Sequence, residues 1–220
     1  MRRFRTATVA TIAAAGLILA AAPSLAAGPS LAVADSVSTS AVAGVDALSP
    51  ELEAYLGTLS PADREAFIAS NLPAEIVLTR GAQQPLDAAA RRSLSTATAA
   101  GRSVGILATG CWTARQNGSA RSGLGNTLYT YYTVGGWCSS GSTVTSAWLA
   151  DAGGETSTPG WSYQGRINSG SGVVSNTGRA YSQHRFTLSA GGATVQSPTP
   201  CLRVTGTSSG SASGSSSCGI

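Results

Sequence analysis

Few residues of this 220-residue chain have the types and spacing of a catalytic group. A Gly-x-Ser-x-Gly pattern at 206–210 centres on Ser208 and matches the strained turn that holds a nucleophilic serine in many hydrolases. The partners for a triad would be Asp151 and His184, the single histidine. However, the pattern lies in a Ser/Gly tract, where such a match arises by chance, and no helical pattern follows it. We therefore predict no catalytic residues and no enzyme, with a hydrolase or a peptidase inhibitor as the weaker alternatives.

The absence of lysine excludes several other chemistries. Walker-type phosphate loops, Schiff-base catalysis and Ser-Lys dyads all need a lysine amine. A metal centre is not expected either, because the sequence has no Cys-x-x-Cys pair and its one histidine offers no second nitrogen at ligand spacing. The sequence therefore predicts neither a metal nor another cofactor. The use of arginine for every basic residue, with abundant Ala, Gly and Thr, is typical of a bacterial source rich in GC.

Structural interpretations fit the two carboxylates and the histidine of the C-terminal half. Asp151 and Glu155 flank a Gly-Gly pair and are predicted to lie in a solvated hairpin turn. Acid/base work on a glycoside would need a cleft that holds both groups about 5–9.5 Å apart. His184 shares a strand face with Phe186 in the predicted alternation, which favours a buried structural histidine.

Aromatic residues are the best candidates for ligand binding. Alternation along 128–134 places Tyr129 and Tyr131 on one strand face and Leu128 and Tyr132 on the other. Both faces therefore carry aromatic rings, and one of them can form an exposed platform. The candidate binding residues are Tyr129, Tyr131, Trp161, Tyr163 and Arg166. We favour the interpretation that the rings fill the core of a domain poor in leucine and isoleucine, and the binding face is the alternative.

All four cysteines lie in the same half, at positions 111, 138, 201 and 218. Four cysteines allow three connectivities. Because Cys111 begins the first predicted strand and Cys138 ends the second, an antiparallel hairpin would bring them together. We therefore favour a Cys111–Cys138 disulfide and a Cys201–Cys218 disulfide.

The N-terminus has the order of a secretory signal. Three arginines within the first five residues precede an Ala-rich apolar run, and small residues follow. The run is shorter than the roughly 20 residues that a membrane-spanning helix needs. We predict a signal peptide over 1–26, with cleavage after Ala34 as the alternative. The mature protein is then expected to be secreted, without a membrane anchor, into a compartment where disulfides form.

Two different halves follow the signal. Residues 27–48 form a low-complexity lead-in, and 49–104 form a small helical segment. Ser49-Pro50 and Ser60-Pro61 each place a capping hydroxyl before a proline at the first helical position. A third, weaker helix is expected over 86–99.

From 105 to 220 the hydrophobic period changes to two, which predicts a β domain. Short strands are expected at 111–116, 127–137, 143–150, 161–167, 180–188, 193–196 and 202–205, with turns at 117–118, 139–141 and 151–154. The Gly/Ser-rich C-terminal tail would be held by Cys218. The predicted fold is mainly β, an antiparallel disulfide-stabilised β-sandwich or barrel preceded by a short α-helical segment.

The charge is divided between the two halves. Residues 27–104 carry five arginines and eight acids, a charge of −3, whereas residues 105–220 carry six arginines and two acids, a charge of +4. We predict a non-enzymatic binding or interaction module for a glycan or an extracellular protein, and no nucleic acid partner. The alternative is a secreted toxin or antimicrobial effector made with the acidic segment as a removable pro-segment.

Overall fold

A computed structural model describes the backbone of residues 37–41 and, with side chains, residues 48–86 and 110–220. All of these residues belong to one compact unit. The predicted signal peptide and the predicted third helix, except for Leu86, lie outside the described residues. No helix in the described part of the chain is long and apolar enough to cross a bilayer.

Both predicted helix starts are confirmed. Helix α1 spans Pro50–Gly57 and helix α2 spans Pro61–Asn71. The Ser49 hydroxyl accepts a hydrogen bond from the Leu52 N–H at 3.2 Å, and the Ser60 hydroxyl accepts one from the Asp63 N–H at the same distance. These bonds satisfy donors that the first helical turn leaves without partners.

Eleven strands form two antiparallel sheets in the described residues. The first sheet has the order β1-β2-β4-β5-β6, with β3 paired to β4. Its strands are β1 (Val37–Ala41), β2 (Pro73–Arg80), β3 (Gln84–Pro85), β4 (Gly110–Ser122), β5 (Thr127–Ser140) and β6 (Thr143–Thr156). The second sheet has the order β11-β10-β8-β7, with β9 paired to β8. Its strands are β7 (Trp161–Val174), β8 (Thr177–Ala190), β9 (Ala193–Gln196), β10 (Cys201–Gly206) and β11 (Ala212–Ser215).

The architecture is the predicted antiparallel sandwich and not a closed barrel. In the described chain, no strand of one sheet pairs with a strand of the other. The two sheets face each other across a core in which the Tyr129 and Phe186 rings stack with centroids 4.1 Å apart. Leu52 and Leu56 of α1 join the same core cluster. The helical region and the β region therefore share one hydrophobic core.

The predicted boundary at 104/105 needs correction for this reason. Residues 73–80 of the expected helical segment form strand β2, which pairs with β4. Residues 37–41 of the expected lead-in form strand β1, which pairs with β2. Part of the segment that the precursor alternative would remove thus belongs to the first sheet.

Two predicted turns are also wrong. Residues 117–118 lie in the middle of β4, and residues 151–154 lie within β6. The glycines at these places admit aromatic rings instead of reversing the chain: a Cβ on Gly118 would overlap the ring of the buried Tyr131. Such a contact is closer than real Cβ atoms make, so glycine is required for packing and not for a turn.

The two disulfides join Cys111 to Cys138 and Cys201 to Cys218, the pairing expected from the strand order. Cys111 and Cys138 lie directly opposite each other in the β4–β5 register. The second bond attaches the chain after β11 to the start of β10, so the Gly/Ser-rich tail is held against the second sheet.

Candidate functional site

The outer face of the first sheet is polar along β4, β5 and β6. Burial alternates along β4, where Ala114 and Ala120 face the core while Arg115 and Arg121 are exposed. A groove of about 580 Å³ lies over this face and is bordered by β7. Its polar lining includes Arg115, Asn117, Arg121, Tyr132, Glu155 and Tyr163. We call this cavity the outer groove.

Opposite charges flank the two sides of the outer face. Arg115 on β4 lies opposite Val134 on β5, which lies opposite Asp151 on β6. Since β5 lies between them, β4 and β6 are two strand spacings apart, a distance of about 10 Å. Glu155 lies four residues further along β6, about 14 Å from Asp151 in an extended strand. The outer face therefore has a basic side on β4 and an acidic side on β6, with β5 between them.

Tyr132 is the aromatic residue at the centre of this face. The Arg115 guanidinium carbon lies 3.6 Å from the ring centroid, within cation–π range. The Tyr132 hydroxyl donates to Asp151 Oδ2 at 3.0 Å, and this hydrogen bond is the main cause of the raised pKa of Tyr132. Arg115 Nε donates to Asn117 Oδ1 at 2.6 Å. Its Nη groups have no hydrogen-bond acceptor among the described residues. Arg115 is therefore oriented and still has donors for a ligand.

A chain of buried polar side chains ends at Tyr163, on the β7 side of the groove. The Tyr163 hydroxyl lies 2.9 Å from His184 Nδ1, and Ser182 Oγ lies 2.8 Å from His184 Nε2. The Ser182 hydroxyl is hydrogen-bonded to the Thr133 hydroxyl, which donates to the Leu202 carbonyl at 3.3 Å. The chain thus crosses the core from the second sheet to the first.

Burial keeps the imidazole in this chain neutral. His184 is fully buried. Its pKa is lowered to about 4, mainly by burial and further by the charge of Arg166, while a backbone interaction with Tyr132 opposes the shift. Burial also raises the pKa of Tyr163. Both groups are consequently uncharged at neutral pH.

The structure places the five predicted binding residues in different environments. Tyr129 and Tyr131 are each only 2% exposed, and burial raises the pKa of both. Trp161 is also buried, and its Nε1 donates to the Asn71 carbonyl at 3.1 Å. Tyr129 and Tyr131 therefore do not form an exposed platform, because their face of β5 packs against the second sheet. Tyr163 borders the groove, and Arg166 is exposed on β7.

The residues considered for a triad are not brought together. Both ring nitrogens of His184 are bonded within the core, to Tyr163 and Ser182. Asp151 accepts from Tyr132, on the outer face. The Ser208 carbonyl accepts from Ser139 at 2.8 Å, so this serine lies near the end of β5. Within the described ranges, no group of three His, Cys, Asp or Glu side chains is close enough to hold a metal ion.

Three residues of the outer groove were not predicted as site residues from the sequence: Arg115, Asn117 and Tyr132. A signal was present, since Arg115, Asn117, Ser119 and Arg121 alternate with small or buried residues along β4. Breaking this strand at a predicted turn concealed the polar face. Comparison with protein-family models, with curated proteins and with solved structures gave no match.

Proposed function

We propose that the chain is an exported, non-enzymatic binding protein and that its outer groove takes a glycan. The observation that carries the proposal is the oriented Arg115–Tyr132–Asp151 group, which spans the outer face from the basic strand β4 to the acidic strand β6. Planar groups held by neighbouring side chains give a ligand fixed directions for hydrogen bonds. Export, into a compartment that forms disulfides, is supported by the two cystines and by the signal-like N-terminus.

The polarity of the groove favours a glycan over an apolar peptide. Its lining offers guanidinium, amide, hydroxyl and carboxylate groups from Arg115, Asn117, Thr130 and Glu155. Thr130 Oγ1 donates to Glu155 Oε1 at 3.3 Å, which orients that carboxylate. Donors and acceptors at short intervals match a ligand that carries many hydroxyl groups, whereas an apolar peptide anchor would need a hydrophobic pocket.

The test is a glycan array with the oxidised, secreted protein, followed by calorimetric titration of the bound glycan. Arg115→Ala and Glu155→Gln should each weaken binding by about tenfold, which corresponds to about 1.4 kcal/mol. Arg64→Ala and Glu65→Gln are matched controls, because both residues are exposed on α2. The controls should bind as the wild type does. The absence of any bound glycan would overturn the proposal, and equal binding by the groove variants would place the ligand elsewhere.

A further inference from the structure

The proton order of the buried chain follows from the one group in it that can only accept. The Leu202 carbonyl has no proton and can only accept, so the Thr133 hydroxyl donates its single proton to it. Thr133 must then accept from Ser182, whose own single proton is used in that bond. Ser182 consequently accepts from His184 Nε2, which carries the imidazole proton. Since the ring is neutral, Nδ1 is then unprotonated, and it accepts a hydrogen bond from the Tyr163 hydroxyl.

This order of protons determines which hydrogen-bonding role the Tyr163 hydroxyl can take toward a ligand in the groove. Its hydroxyl proton is committed to His184, so only the oxygen lone pairs remain for a ligand. Tyr132 behaves in the same way, because its proton is donated to Asp151. With the Glu155 carboxylate of β6, these hydroxyl oxygens from β5 and β7 give the groove a row of acceptors. The β4 side offers donors from the guanidinium of Arg115.

The geometry points to Tyr163 as a specificity-determining hydrogen-bond acceptor, which selects a ligand that presents a donor such as a sugar hydroxyl. This inference rests on the proposed function of the outer groove. A carboxylate or phosphate oxygen at the same place would face the Tyr163 oxygen with no proton between the two acceptors. The free-energy cost of leaving these acceptors unpaired is larger than the net gain from a hydrogen bond between Tyr163 and a donor. The groove therefore selects a neutral, hydroxyl-bearing face of the ligand on its β7 side.

The decisive measurement needs no ligand. His184 is the only histidine in the sequence, so its side-chain nitrogen signals in a ¹⁵N NMR spectrum require no assignment. At pH 7 the long-range ¹H–¹⁵N correlations should show the Nε2–H tautomer. Ser182→Ala removes the acceptor of this proton and should shift the population toward Nδ1–H, whereas Ser171→Ala, at an exposed position of β7, should not. A wild-type protein with mainly Nδ1–H would overturn the inference, whatever the variants do.

The selectivity for a hydroxyl-bearing ligand is tested by following the His184 side-chain ¹⁵N signals during titration with glucose. A separate titration uses sodium acetate at constant ionic strength. Glucose should shift the His184 signals through Tyr163, and acetate should not. Tyr163→Phe should weaken glucose binding by about five- to tenfold. A larger response to acetate than to glucose would overturn the inference. The Nε2–H tautomer without any response to glucose would instead count against the glycan function and leave the acceptor role of Tyr163 intact.

Discussion

Acid should destabilise this protein through His184. The pKa of this side chain falls from an ordinary value of 6.5 to about 4 in the fold. Between these two values the unfolded chain binds a proton that the folded chain does not bind. Stability is therefore fully present above about pH 6.5 and falls as the pH approaches 4. The shift corresponds to about 3 kcal/mol, lost at up to about 1.4 kcal/mol per pH unit.

The assay is urea unfolding at several pH values from 7.5 to 3.5, for the wild type and for His184→Gln. Glutamine keeps a polar side chain but does not titrate, so the variant should be less stable at pH 7 and should lose less stability on acidification. The difference between the two curves isolates the histidine, because the carboxylates are common to both proteins. Parallel curves, or an NMR titration of His184 in the folded protein with a midpoint near 6.5, would refute the reasoning.

Three further predictions concern the core, the second disulfide and the mature N-terminus. Tyr129→Ala should cost about 3–5 kcal/mol in denaturant unfolding, because the ring is buried, whereas Tyr132→Ala should cost less than about 1 kcal/mol. Similar losses for the two variants would contradict the assignment of the two faces of β5. Replacing Cys201 and Cys218 together by serine should lower the free energy of unfolding by about 3 kcal/mol, measured under oxidising conditions. Non-reducing mass spectrometry of the protein recovered from the medium of an expressing culture should find residues 48–86 retained, because they supply β2 and the core leucines of α1. A species that begins near residue 104 would restore the precursor alternative.

Local signals predicted the helix starts and most of the strands. The capping serines before Pro50 and Pro61 act within one helical turn, so they can be recognised without tertiary information. Strand β9 was predicted with its full bounds at 193–196. By contrast, β11 has only small residues, Ala212–Ser215, and is a strand because β10 offers it a free edge. Its formation depends on pairing, which composition does not reveal.

The largest errors in the predicted strand bounds occurred at glycines. A glycine that forms a turn and a glycine that makes room for a neighbouring ring cannot be distinguished in the sequence. Gly141 does lie in a turn and has a positive φ of 57°. Gly153 and Gly154 instead lie within β6, where the missing side chains make room for the rings of Tyr132 and Tyr163. The need for glycine arises from a neighbouring strand that is distant in the sequence. Strand β6 was therefore predicted to end too early, and its acids were assigned to a turn when they belong to the face of a sheet.

The choice between the two faces of β5 shows how the site could have been found. Alternation separates Tyr129 and Tyr131 from Tyr132 but does not say which face is inward. The neighbouring strand decides this, because paired strands share their faces. Along an unbroken β4, the residues that pair with Tyr129 and Tyr132 are Ala120 and Asn117. A small apolar neighbour indicates the core and a polar neighbour indicates solvent, so β4 as one strand would have predicted Tyr132 as the ring on the outer face.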